Sequence, residues 1–195
     1  MIAIVETGGA NIASIVNALA RLGKEARLTR DREVIQSASQ VILPGVGAAG
    51  IAMERIRSLE LLSCLSELTQ PVLGICLGMQ LLFDSSEEND AACLGLLPGR
   101  VRRLEPGAGR PIPHMGWNRV SRRGDCPLFE GIPDESHFYF VHSFAAPDGP
   151  FVRSHCEYGE TIPASVQYEN FFGVQFHPER SGELGARMLA NFIRL

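Results

Sequence analysis

The segment Gly74-Ile75-Cys76-Leu77-Gly78 sets a cysteine at the end of the short apolar run that follows Pro71. Glycine stands two residues to either side, and a helical pattern begins directly after it. A tight strand-to-helix turn of this kind presents a nucleophile: the glycines leave room for the bend, and the side chain stands clear of the sheet. The attacking species of a cysteine is its thiolate, which a helix N-terminus and a nearby imidazolium both favour. The backbone N–H of Leu77, next after the nucleophile, can face a developing oxyanion. Far downstream, His177-Pro178-Glu179 supplies a base and a carboxylate. Proline pushes His177 into an extended backbone, where residues i and i+2 project from one side, so Glu179 can orient the imidazole. Cys76, His177 and Glu179 therefore form a candidate Cys-His-Glu hydrolytic triad. The bland alternatives are a buried packing cysteine and a surface His-Glu pair.

Pro44-Gly45-Val46-Gly47 is the second chemical feature. It follows an apolar run and should lie beside Cys76, because ligands of open α/β sheets bind beyond the C-terminal strand ends. Its two glycines allow close backbone approach or two peptide orientations, with the Val46 N–H as a second oxyanion donor. A phosphate-binding turn is the weaker reading, since neither a third glycine nor a following Lys-Ser/Thr is present. His142, between apolar residues of a strand-like run, reads as a satisfied core or pocket residue.

The elements that must position these groups alternate. Strands are expected at 2–5, 26–29, 41–43 and 72–75. Helices are expected at 11–22, over 48–68 as one broken or two consecutive pieces, and at 77–85. Continuous apolar strands between helices argue for a parallel sheet covered on both faces. The second half reads as short strands, some antiparallel, at 100–104, 138–144, 151–155, 164–168 and 172–176, closed by a helix over 182–195. The 195 residues, 45% hydrophobic and 21% charged, suit one domain spanning 1–195. A net charge of -4 without a basic run excludes a phosphate-backbone footprint. No segment reaches the ~20 apolar residues of a membrane span. The start lacks a basic n-region, and the five cysteines form no Cys-x-x-Cys pair. Reduced thiols, no metal site and a cytoplasmic location are therefore expected.

Gly74-Ile75-Cys76-Leu77-Gly78-Met79-Gln80 and Gly173-Val174-Gln175-Phe176-His177-Pro178-Glu179 resemble the nucleophile and base motifs of class I (triad) glutamine amidotransferases. Leu43 to Gly47, Pro113-His114-Met115-Gly116-Trp117-Asn118, Phe138 to Ser143 and His177 to Gly182 are similar to the glutaminase-subunit family of imidazole glycerol phosphate synthase. The resemblance covers essentially the whole chain. It implies a flavodoxin-like three-layer α/β fold with a mainly parallel central sheet and some antiparallel strands. It also implies hydrolysis of L-glutamine to glutamate and ammonia without a cofactor. The ammonia would pass to a (β/α)₈-barrel cyclase subunit in a heterodimer, which makes imidazole glycerol phosphate and an aminoimidazole carboxamide ribotide in histidine biosynthesis. Cys76 would be the nucleophile, His177 the acid/base and Glu179 its orienter. Gly45, Gly47, Gln80 and Ser143 would help hold glutamine, and Asn11, Trp117, Tyr139 and Arg180 would lie near the partner. Three features depart from the family pattern: the Glu6-to-Asn11 run, Arg180 where lysine is common, and Phe144 where tyrosine is common. The competing readings are a glutaminase subunit of another synthase, a non-catalytic module on the same fold, and a cysteine peptidase or esterase-like hydrolase.

Overall fold

Four-residue apolar strands rich in Val, Ile and Leu can be buried on both faces, and this chain builds its sheet from them. The computed structural model describes residues 1–7, 12–45 and 47–195. The first half runs β1 (Ile2–Val5), α1 (Ile12–Arg21), β2 (Ala26–Thr29), α2 (Arg32–Ser37), β3 (Gln40–Leu43), α3 (Ala49–Ser58), α4 (Leu62–Ser66), β4 (Val72–Ile75) and α5 (Leu77–Gln80). It continues through β5 (Phe83–Ser86), β6 (Ala91–Ala92), β7 (Leu97–Arg103), β8 (His114–Arg122), β9 (Ser136–His142) and β10 (Phe144–Ala145). β11 (Val152–Glu157), β12 (Thr161–Tyr168), β13 (Phe171–Val174) and α6 (Gly182–Ile193) complete it.

Among the described residues the main sheet has nine strands in the order β2-β1-β3-β4-β13-β12-β11-β8-β9. The first five are parallel, the flavodoxin-like order with β13 as the fifth strand. From β12 to β9 the pairs are antiparallel. A smaller sheet, β10-β7-β5-β6, lies beside it. Alternation along the strands feeds two cores. Ala3, Val5, Val41 and Leu43 pack with Met53 and Ile56 of α3 on one face. Ile2, Ile4 and Ile42 pack with Leu19 of α1 and Met188 and Phe192 of α6 on the other.

The expected 77–85 helix is corrected. It stops after one turn at Gln80, and the chain turns into β5. Leu81, Leu82 and Phe83 are all fully buried, and three consecutive side chains span too much of a helix circumference to share one buried face. Pairing of Phe83 with Leu97 and of Ser86 with Val101 takes up the backbone instead. Two further elements are not expected from the sequence: α2, whose entry is fixed by Asp31 accepting from the N–H groups of Glu33 and Val34, and β8, the longest described strand of the sheet.

Candidate active site

Three parallel strands deliver the reacting groups. Leu43 lies opposite Gly74, and Val174 opposite Ile75. The residues just past β3, β4 and β13 therefore meet in one crevice: Gly45, Cys76, and Gln175 with His177. Cys76 sits at φ 54°, ψ −111°, a conformation that costs about 1–3 kcal/mol and persists only where its surroundings enforce it. Enforcement comes from its N–H, which donates to the Val174 carbonyl at 2.8 Å. Glycines allow the crowding around it. A Cβ on Gly78 would fall 1.9 Å from the Leu43 carbonyl oxygen, one on Gly74 2.5 Å from the Gly78 oxygen, and one on Gly45 2.1 Å from the Gly78 nitrogen. The loop after β3 and the turn after β4 thus touch backbone to backbone.

His177 Nδ1 lies 2.8 Å from Glu179 Oε1, and both side chains are buried. A carboxylate only accepts, so Nδ1 carries the proton and Nε2 is the nitrogen left for Cys76. That Nε2 is buried and makes no conventional hydrogen bond among the described residues. Burial works against a charged imidazole here, but Cys76 and Glu179 outweigh it and push the His177 pKa up to about 10. The ring is poised as an imidazolium between two acidic groups. Its backbone is anchored as well: the His177 N–H donates to the Tyr139 carbonyl at 2.9 Å, and Ser181 Oγ donates to the His177 carbonyl at 2.7 Å.

Above the triad opens a cavity of about 530 Å³, to which Gly45, Gly47, Leu77, Gln80 and Ser143 all contribute. The residues the sequence put there are therefore together. Gly47 adopts φ +103° with open space where a side chain would be. As the first residue of α5, Leu77 has a backbone N–H without an acceptor inside the helix. Ser143 stands at the corner where the chain leaves β9 for β10, passing from the larger sheet to the smaller. Val46 and Asn11, an oxyanion donor and a partner contact in the sequence reading, lie outside the described residues. Thr7, in the run that departs from the family pattern, is buried and donates to the Pro44 carbonyl at 3.1 Å.

Three residues of the site were not assigned from sequence. Glu88 lines the cavity; one oxygen accepts from the Ala49 N–H at 2.8 Å, and its charge suits an ammonium group. Gln175 is fully buried, with Nε2 3.6 Å from Cys76 Sγ. His114 Nδ1 lies 2.9 Å from His142 Nε2, and His142 Nδ1 donates to the Phe144 carbonyl at 2.8 Å. Burial lowers these two imidazoles to about 4 and about 3, so both stay neutral. His142 is the satisfied pocket residue expected of it. No cluster of three or more His, Cys, Asp or Glu able to hold a metal ion occurs among the described residues.

Beside the cavity mouth, Trp117 of β8 pairs with Tyr139 of β9, their rings 6.2 Å apart and edge to face. The Arg180 guanidinium lies 4.9 Å over the Tyr139 ring, and Arg180 also lines the cavity. Trp117 is 57% exposed and Met115 61%, two residues apart on β8 and so on the same face of the strand.

Residues 3–195 match the family model for glutamine amidotransferase class-I. The chain is 51% identical over 194 residues to the imidazole glycerol phosphate synthase subunit HisH of Xanthomonas axonopodis pv. citri, covering 100% of this chain and 97% of that protein. It is 49% identical over 195 residues to the subunit of the same name from Escherichia coli, covering 100% and 99%. A solved glutamine amidotransferase structure superposes with a TM-score of 0.76 at 20% identity, over 99% of this chain and 97% of that one. At that identity the likeness concerns the fold.

Proposed function

Because this chain belongs to the class-I glutamine amidotransferases, and within them to the HisH subunits of imidazole glycerol phosphate synthase, we propose that residues 1–195 form one cytoplasmic glutaminase domain. Its Cys76-His177-Glu179 triad supplies ammonia to a cyclase subunit for histidine biosynthesis. The observation that carries the reading is the buried His177–Glu179 pair, 2.8 Å apart, acting with Cys76 on the floor of a cavity that also holds Glu88 and Ser143.

The Cys76 thiolate attacks the side-chain carboxamide of glutamine. His177 gives its Nε2 proton to the departing ammonia, and a thioester remains. Acylation removes the charge on sulfur, and with it part of what raises the imidazole. The same ring is then neutral and takes a proton from the water that releases glutamate. Leu77 N–H stabilises the oxyanion of each tetrahedral intermediate, and Val46 N–H is the second donor in the proposal; one such donor is typically worth ~10²–10³ in rate. Glu88 faces the α-ammonium of the substrate, Ser143 and Gln80 its polar atoms, and Gly45 and Gly47 let the loop approach it closely. Asn11, Trp117, Tyr139 and Arg180 form the surface for the cyclase, a (β/α)₈ barrel.

Glutamate release from glutamine, measured for the purified chain alone and with a cyclase subunit carrying its nucleotide ligand, tests this. The expected result is a low rate alone that rises sharply with the loaded partner. A folded chain that forms the complex yet releases no glutamate in either state overturns the assignment.

A further inference from the structure

The Cys76 sulfur stands between groups that favour opposite protonation states. The Val141 carbonyl, which can only accept, lies 3.6 Å away and suits a protonated thiol. Gln175 Nε2, also at 3.6 Å, donates and suits a thiolate; sulfur is large, and this is an ordinary length for such a bond. Building on the reading of Cys76 as nucleophile, we propose that Gln175 is the side-chain donor that holds the thiolate, and that Gln80 is the positioning residue that fixes its orientation.

A chain of buried donors and acceptors fixes the orientation of both carboxamides. A carboxamide can be turned end for end, so its neighbours decide which end faces the sulfur. The Phe144 carbonyl accepts from Gln80 Nε2 at 2.9 Å. That fixes the amino end of Gln80, whose second N–H goes to Gln175 Oε1 at 2.9 Å. With its oxygen occupied there, Gln175 must turn its own amino group to Cys76. Gln175 is fully buried and does not line the cavity, so solvent offers it no alternative partner. Both N–H bonds of Gln80 are used inside the protein, and only its oxygen is left for the cavity it lines. The register supports the arrangement: Gln175 directly follows Val174, which lies opposite Ile75. The need for such a donor follows from the fold. α5 has a single turn, and so short a helix supplies little of the dipole that a long one brings to its N-terminus. Hydrogen bonds to a charged group are the stronger kind.

The test is the pH dependence of Cys76 alkylation by iodoacetamide, located by peptide mass. The wild type is compared with Gln175→Met, Gln80→Met and the double variant, beside glutaminase kinetics in the complex with the cyclase. Burial pushes the Cys93 and Cys126 thiols up to about 11 and Cys156 to about 12, which leaves them slow to react. Gln175→Met is expected to move the pH midpoint of alkylation up by about one unit and lower kcat about tenfold, with KM changed less than about twofold. Gln80→Met should reproduce part of that shift, and the double variant should be no worse than Gln175→Met. A folded Gln175→Met protein with an unchanged midpoint, or additive shifts in the double variant, overturns the proposal. If Gln175→Met does not fold, an unchanged midpoint in Gln80→Met does so. Alkylation needs no glutamine turnover, so a wild type that releases no glutamate refutes the glutaminase reading separately from this one.

Discussion

Two buried histidines stay neutral a short distance from one that is charged, and the difference lies in their partners. His177 meets Glu179 and Cys76, whereas His142 meets a carbonyl and a second imidazole. The neutral pair makes stability sensitive to acid. In the unfolded chain both titrate near the ordinary histidine value, about 6.5; in the folded protein they resist protonation down to about 4 for His114 and about 3 for His142. The unfolded state therefore takes up protons first as pH falls. Their contribution is fully present above about 6.5 and is lost below it, by up to about 1.4 kcal/mol per pH unit for each ring. Urea midpoints at pH 7.5 and 5.0 should fall steeply for the wild type and less for His114→Gln/His142→Gln; equal slopes would remove these rings from the account. At this scale the meeting of Cys76, His177 and Glu179 was legible because each sits in a local frame, a Gly-x-Cys-x-Gly turn or a His-Pro-Glu strand end. Gln175 and Glu88 were not, because their roles depend on where side chains point across strands. Gln175 and Cys76 lie 99 residues apart in sequence.

Elements meet here through backbone more than through side chains, and that sets the tolerance of the site to change. A Cβ on Gly78 would need space held by the Leu43 carbonyl, 1.9 Å away, whereas one on Gly47 would meet nothing within 4 Å. Gly78→Ala should therefore push β3 away from α5, costing more than about 2 kcal/mol in urea unfolding and abolishing glutaminase activity. Gly47→Ala pays only for its positive φ, about 1–2 kcal/mol. Equal losses from the two would contradict the close approach. The parallel strands were readable because their apolar runs are short and bounded by turn residues. β8 was hidden by Gly116, at φ +129°, and by His114 and Asn118, which put polar side chains where apolar alternation would need apolar ones. α2 has six residues and one buried apolar side chain, Ile35, too few for a helical period to emerge.

In the molecule as a whole, one residue of β9 touches both the exposed aromatic pair and the base proposed for the site. Tyr139 presents its ring to Trp117 and Arg180, and its carbonyl accepts the His177 N–H. Trp117→Ala should weaken the complex with the cyclase at least tenfold by titration, with Cys76 alkylation in the free chain unchanged. Altered alkylation would mean that the indole also supports the site from within. The composition, the parallel half of the sheet and the family resemblance were all readable from the sequence. The pairing of the four strands beyond β13 was less so, because β8 carries no continuous apolar run and β11 pairs with β12 through two register shifts.

The pairing of β4 with β13 also bears on the order of events at the ribosome. β4 ends at Ile75 and its neighbour on one side, β13, begins only at Phe171, so β4 is made well before β13. Until then the β4 edge is open, and an unpaired apolar edge is a template for unwanted pairing. His177 and Glu179 follow closely on β13, so the strand that closes this edge and the acid/base pair proposed for the site are made together.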